Sequence, residues 1–182
     1  ILLTGATGYI GKRLLPVLIQ EGYFVYCLVR EKARFNPPNS LLNHIEVIEG
    51  NLLDLKTLHS IPKDLHAAYY LVHSMSSNKN YVELESESAR NFCSALENTT
   101  VEHVIYLSGI VNENSLSDHL QSRKNVEDIL SKGPFHLTVL RAGIIIGSGS
   151  ASFEIIRDLV EKLPVMIAPK WLNTKCQPIG IK

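Results

Sequence analysis

Apolar and polar positions along the chain switch repeatedly between two periods. Ile1-Leu2-Leu3 is a continuous apolar run; Leu14, Leu15, Val17 and Leu18 then recur at helical spacing until Gly22, where Phe24-Val25-Tyr26-Cys27-Leu28-Val29 starts a second run. After the Asn36-Pro37-Pro38-Asn39 link, which predicts a loop and a short helical turn, Ile45-Glu46-Val47-Ile48 alternates as a strand. Asn51-Leu52-Leu53-Asp54 leads into a predicted helix with Asp54 as N-cap, and Ala67-Ala68-Tyr69-Tyr70-Leu71-Val72 has the unbroken apolarity of a buried parallel strand. A helix from about Asn80 to Leu96, the strand Val104-Ile105-Tyr106-Leu107, a helix from about Asp118 to Leu130, the strand Leu137-Thr138-Val139-Leu140 and a helix from about Ser152 to Leu163 complete the series.

Strands that alternate with helices predict an α/β chain with a doubly wound parallel sheet and helices on both faces, a three-layer α/β/α Rossmann fold. The expected organisation is one dinucleotide-binding domain over 1–182, with a substrate-binding region starting at about 165–182. The segment from Lys170 to Ile181 is less regular and predicts a short strand pair that stops abruptly, as though the C-terminal substrate region were incomplete.

The first strand and helix carry the chemistry. Thr4-Gly5-Ala6-Thr7-Gly8-Tyr9-Ile10-Gly11 is a Gly-x-x-Gly-x-x-Gly turn that lays backbone N–H groups and a positive helix end against a pyrophosphate. Gly5 permits the sharp turn, Gly8 admits the diphosphate, and Gly11 lets the helix approach the sheet; Thr7, Tyr9 and Ile10 fall between them as further cofactor contacts. At the end of the second strand, where an NAD site would hold a carboxylate for the adenosine ribose, stands Arg30, with Lys32 and Arg34 close by. A guanidinium fork suits a 2′-phosphate, so NADP(H) is expected in preference to NAD(H); Glu31 is the opposing feature, because a one-residue change of register restores an acidic ribose ligand. Asn51 and Leu52 are placed for adenine, and Val72-His73-Ser74 for the central ribose, with a structural role for His73 as the alternative.

Composition narrows the partners. Over 182 residues the chain is 45% hydrophobic with a formal net charge of zero, which fits one sizeable core and gives no electrostatic reason to expect nucleic acid or an anionic membrane. Cys27, Cys93 and Cys176 are odd in number and widely spaced, which suits a reducing, cytoplasmic setting without a disulfide framework or zinc. No stretch predicts a membrane span, and a chain that starts directly within a strand shows no signal peptide. Asn98-Thr99-Thr100 matches a glycosylation sequon but reads as a helix-end turn, and His44, His59, His66, His103 and His136 lack metal-ligand spacing.

Four motifs together resemble the short-chain dehydrogenase/reductase superfamily, in its atypical and extended branches: the glycine fingerprint, Tyr70-Leu71-Val72-His73-Ser74-Met75, Tyr106-Leu107-Ser108-Gly109, and Leu140-Arg141-Ala142-Gly143-Ile144-Ile145-Ile146-Gly147. NmrA-like proteins, the complex I accessory-subunit-like group and nucleoside-diphosphate-sugar epimerases belong to these branches. The resemblance implies hydride transfer at a carbonyl or hydroxyl carbon, with a Ser and a Tyr-x-x-x-Lys pair as the working groups. Ser108 stands at the matching place, whereas the pair reads His119-x-x-x-Arg123 and Glu85 stands nearest the position of a helix Asn. Three readings stay open: His119 as a variant acid–base with Arg123 on ribose or phosphate; a fold that binds cofactor without turnover, as a regulator or assembly factor; or a nucleoside-diphosphate-sugar epimerase, against which the missing Tyr and Lys count. Arg141 is placed for the nicotinamide side or for fixing a loop, and Gly147-Ser148-Gly149-Ser150 for helix entry with Ser150 or Ser152 as cap, with N–H groups for an anion such as a substrate phosphate as the alternative.

Overall fold

A computed structural model describes residues 1–73, 80–110, 117–163 and 177–181, which fall into two compact units, Ile1–Leu140 and Arg141–Lys182. The strands β1 (Leu2–Thr4), β2 (Val25–Val29), β3 (Ile45–Glu49), β4 (Ala67–Tyr70), β5 (His103–Gly109) and β6 (His136–Ala142) form one six-stranded sheet. Their order is β3-β2-β1-β4-β5-β6, and β1 pairs in parallel with both β2 and β4, as do β2 with β3 and β4 with β5. This is the doubly wound order that the alternation of periods predicts.

The pleat sorts side chains between two cores. On β1, Leu2 joins one apolar cluster and Leu3 the other, and on β2, Leu28 separates from Val25, Cys27 and Val29 in the same way. One cluster contains Leu15 and Leu18 of the helix α1 (Tyr9–Gln20). The other takes Ala89, Phe92 and Leu96 from α2 (Tyr81–Leu96) and Val126 and Leu130 from α3 (Asp118–Leu130). A sheet covered on both faces needs central strands that are apolar throughout, which is why β1 and β2 lack a clean alternation. Tyr70, Phe92 and Tyr106 form an edge-to-face aromatic group inside the second core, with Tyr70 ring centroids 4.9 Å from Phe92 and 5.8 Å from Tyr106.

The segment after Asp54 folds as a 3₁₀ helix, Leu55–Ser60, rather than as a longer α-helix. Asp54 caps it, its Oδ1 accepting from Lys56 N at 3.1 Å, but Pro62 forces Ile61 into extended backbone and ends the turn at once. The second unit contains β7 (Ile145–Ile146), α4 (Ala151–Lys162) and β8 (Ile179–Gly180). The strand near the C-terminal end pairs in parallel with β7, through Ile145 opposite Ile179. Ser150 holds the N-cap position of α4, yet its hydroxyl donates to Ile145 O at 2.6 Å, and it is Glu154 Oε1 that accepts an N–H near the helix start, from Gly149 at 3.1 Å.

The tightest joint is between α1 and the end of β1. Gly5 has φ +71°, and its carbonyl accepts from Gly8 N at 2.9 Å. A Cβ on Gly11 would stand 2.3 Å from Gly5 O and 2.8 Å from Ala6 Cα, both backbone atoms that cannot swing aside. Gly11→Ala is therefore expected to lower stability by about 1–3 kcal/mol in urea unfolding, although the same change in an unconstrained helix stabilises by about 0.5–1 kcal/mol. An unchanged or raised midpoint would show that α1 does not need this approach.

Candidate functional site

Strand order reverses at β1: the chain leaves it to build β2 and β3 on one side and later β4, β5 and β6 on the other. A crevice opens where the connections part, at the carboxyl ends of the strands. Thr4 holds its two edges together, its hydroxyl donating to Tyr69 O at 2.9 Å and accepting from Leu71 N at 3.2 Å. The crevice is a cleft of about 400 Å³.

The cleft brings together most of the cofactor residues expected from sequence: Gly5, Thr7 and Gly8 on its floor, Arg30, Asn51 and Leu52 on one side, Val72 and His73 on the other. Tyr9, Ile10 and Gly11 begin α1 beside it, with Gly11 spent on packing, and are not among the lining residues described; Ser74 lies outside the described residues. Sequence reasoning missed Thr4, Tyr70, Leu84 and Ser88. Leu84, Glu85 and Ser88 line the cleft from one face of α2, a spacing visible in the sequence but without chemistry to single it out.

Around the exposed Arg30, acidic groups are already engaged. Glu31 Oε2 pairs with Arg34 Nε at 2.7 Å, and Glu49 Oε2 accepts from Lys32 N at 2.9 Å. Arg34 is thus drawn to its own neighbour and does not line the cleft. Asn51 Oδ1 closes a turn with Leu53 N at 3.1 Å, which leaves the amide N–H as the part of that side chain able to donate to a purine.

The opposite wall is a buried polar network. Arg123 Nη1 donates to His73 Nε2 at 2.7 Å and lies 3.5 Å from Leu107 O, while His73 Nδ1 is 3.9 Å from Glu85 Oε1. Glu85, itself buried, accepts a hydrogen bond from Ser122. Nε2 thus lies between a group that can only donate, the Arg123 guanidinium, and one that can only accept, the Leu107 carbonyl at 3.1 Å, while Nδ1 faces Glu85. Burial first, and the Arg123 charge second, hold His73 down at about 4, against the 3.1 Å contact with Leu107 O. Tyr106 donates to Arg123 O at 3.3 Å, and burial pushes its phenol up to about 12.

His119 and Arg123 share a helix face but do not act as one pair. Arg123 turns into the wall, whereas the exposed His119 stacks on Tyr81, with ring centroids 4.9 Å apart and planes at 28°. Ser108 is buried at the end of β5, and its Oγ has no hydrogen-bond partner at proper geometry; among the described residues Tyr81 Oη and Tyr9 Oη share that condition. Arg13 lies over the Tyr9 ring, 4.9 Å from its centroid. Arg141 belongs to the second unit, and no group of three His, Cys, Asp or Glu side chains suited to a metal occurs among the described residues. Cys27 and Cys93 are free thiols, and no described helix is long and apolar enough to cross a membrane.

A neutral His73 has a consequence for stability. Its folded value of about 4 lies below the ordinary 6.5, so its contribution is complete above pH 6.5 and is lost as the pH falls toward 4, where the unfolded chain takes up a proton the folded one refuses. The groups facing it are Glu85 from α2, Arg123 from α3 and Tyr106 from β5. Between those pH values the wild type is expected to lose about 2–3 kcal/mol more than His73→Gln in urea unfolding. Equal losses would mean that His73 takes up its proton in the folded protein as readily as in the unfolded chain.

Known proteins share this architecture. The chain is 24% identical over 179 residues to divinyl chlorophyllide a 8-vinyl-reductase of Cucumis sativus, covering 87% of this chain and 42% of that protein. The Citrobacter triphenylmethane reductase complexed with NADP(H) superposes with a TM-score of 0.66 at 18% identity, covering 79% of this chain and 49% of that one. The Bordetella bronchiseptica enzyme WbmG in complex with NAD gives 0.65 at 14% identity, covering 80% and 53%. The chain thus spans about half the length, or less, of these proteins. A model of the NAD dependent epimerase/dehydratase family matches residues 1–116, the stretch that builds the fingerprint, the cleft and β1 through β5, and the chain belongs to that family.

Proposed function

We propose that this chain is the cofactor-binding part of an NADP(H)-dependent oxidoreductase acting on a carbonyl or hydroxyl substrate. The observation that carries the cofactor preference is Arg30, exposed at the cleft lip while both carboxylates nearby are occupied: Glu31 by Arg34 and Glu49 by a backbone N–H. The feature that favoured NAD, a carboxylate at Glu31, is thereby drawn away from the ribose, and a guanidinium is left to meet a 2′-phosphate. Gly5, Thr7 and Gly8 would hold the pyrophosphate, Asn51 and Leu52 the adenine, and Val72 and His73 the central ribose.

When bound, the nicotinamide supplies or accepts a hydride; this chain's residues bind it, exclude water and manage the proton. Ser108, at the end of β5 and beside the Tyr106 phenol, would orient the substrate oxygen. Arg123 acts on the site through His73 and the Leu107 carbonyl, and the substrate-binding part would begin at about residue 165. A second reading, cofactor binding without turnover, is favoured by one observation: His119 faces a tyrosine ring and Arg123 is built into the wall.

Calorimetric titration is expected to show NADPH bound more tightly than NADH, and Arg30→Ala to weaken NADPH about ten- to a hundredfold while leaving NADH nearly unchanged, the loss of a charge-assisted bond of about 1.5–3 kcal/mol. Tighter binding of NADH by the wild type would overturn the NADP(H) assignment. NADPH oxidation against aldehydes and ketones separates the two readings: tight binding with no turnover establishes the non-catalytic one.

A further inference from the structure

We propose that the base subsite of the cleft takes a dinucleotide carrying hypoxanthine, a 6-oxopurine, as readily as one carrying adenine, and that Asn51 sets this tolerance. The inference rests on the dinucleotide reading above and names which purines that subsite accepts.

Adenine and hypoxanthine share a shape and differ along one edge. The 6-amino group of adenine donates where the 6-oxo group of hypoxanthine accepts, and N1 is reversed in the opposite sense; N7 accepts in both. A site separates the two only by fixing an acceptor, or a donor that cannot change role, against that edge.

The acceptors of the loop that carries Asn51 are spent within the protein. Asn51 O accepts from Asp54 N at 2.8 Å and lies 3.2 Å from the Thr57 hydroxyl, and Leu52 O accepts from Asn91 Nδ2 at 2.7 Å, across 39 residues. Asn51 N donates to Thr57 Oγ1 at 2.8 Å, while the Leu52 side chain is anchored in the core. The loop is therefore held from α2 and from the 3₁₀ helix together. The bond from Leu53 N to Asn51 Oδ1 at 3.1 Å also settles which end of the amide is which, because an N–H must meet the oxygen. Nδ2, a donor, is the end left for a ligand.

The facing wall does not restore selectivity. Ser88, one turn before Asn91 on α2, lines the cleft with a hydroxyl that donates or accepts as its partner requires. Glu85 is engaged by Ser122 and faces His73, on the side of the central ribose. Nδ2 can thus donate to a ring nitrogen of adenine or to O6 of hypoxanthine. Asn51 is half-buried and Leu53 exposed, so a 6-amino group that meets no protein acceptor there keeps its water.

Asn51→Asp reverses the chemistry with little change of shape. Aspartate keeps an oxygen for Leu53 N, which preserves the turn, and replaces the donor with a second acceptor that suits a 6-amino group and repels a 6-oxo group.

The test is calorimetric titration of wild type and Asn51→Asp with NADPH and with its deamino analogue, in which hypoxanthine replaces adenine. Wild type is expected to bind the two within about threefold, and Asn51→Asp to prefer NADPH by about tenfold or more. Taking the ratio of the two affinities removes whatever the added charge does to the 2′-phosphate, and any loss of folded protein affects both nucleotides alike. A wild type that favours NADPH by more than about threefold overturns the proposal without recourse to a variant. A tolerant wild type whose ratio is unchanged in Asn51→Asp overturns the role of Asn51. A wild type that binds neither nucleotide overturns the dinucleotide reading itself, and this inference with it.

Discussion

The approach of α1 to the end of β1 is the constraint on which the cleft depends. Gly5 turns the chain through a left-handed backbone conformation, and Gly11 allows α1 to pass so near the turn that its missing Cβ would be 2.3 Å from the Gly5 carbonyl. The helix start, with its unpaired N–H groups, is thereby aimed into the crevice where the strand order reverses. Thr4 complements this from the sheet side, joining β1 to β4 through Tyr69 and Leu71 just where the strands would otherwise separate.

The other wall is held by different means. A neutral imidazole, a guanidinium, a carboxylate and a serine hydroxyl lie between β4, β5, α2 and α3, where apolar packing would be the default. Each member meets a group of complementary character, and such a network fixes orientation more strictly than apolar contacts do. Its members sit directly behind the cleft surface, since His73 and Glu85 both line it. The Tyr81–His119 stack extends the same helix pairing by one turn toward the strand ends. The glycine turn at the cleft floor and the His73 and Glu85 of its polar wall belong to the first unit.

Family membership and fold leave the substrate open, because the parts that select substrates in such proteins lie in loops and segments outside the sheet. The reductase and the NAD-bound enzyme whose structures superpose on this chain share its fold at 14–18% identity, so the common element is the scaffold. In this chain Arg30 stands at the lip, with Glu31 and Arg34 satisfying one another beside it.

The fold was legible because its evidence is local. A period of two or of 3.6 is a property of consecutive residues, and so are the glycine spacing, the Asp54 cap and the apolar run of β4; these determined the doubly wound sheet, the bounds of α3 and the tight glycine turn between β1 and α1. The sequence also placed Arg30 and Glu31 side by side, without saying which would face the cleft. Tertiary structure decided that, through the Glu31–Arg34 pair, and it decided that Arg123 meets His73, 50 residues away, rather than acting with its helical neighbour His119. Glu85 found Ser122 across 37 residues, and His119 found Tyr81, for the same reason. Spacing along one helix fixes which side chains share a face, but the partner that a buried polar group satisfies is set by which other element packs against that face, and only the folded sheet brings those elements together.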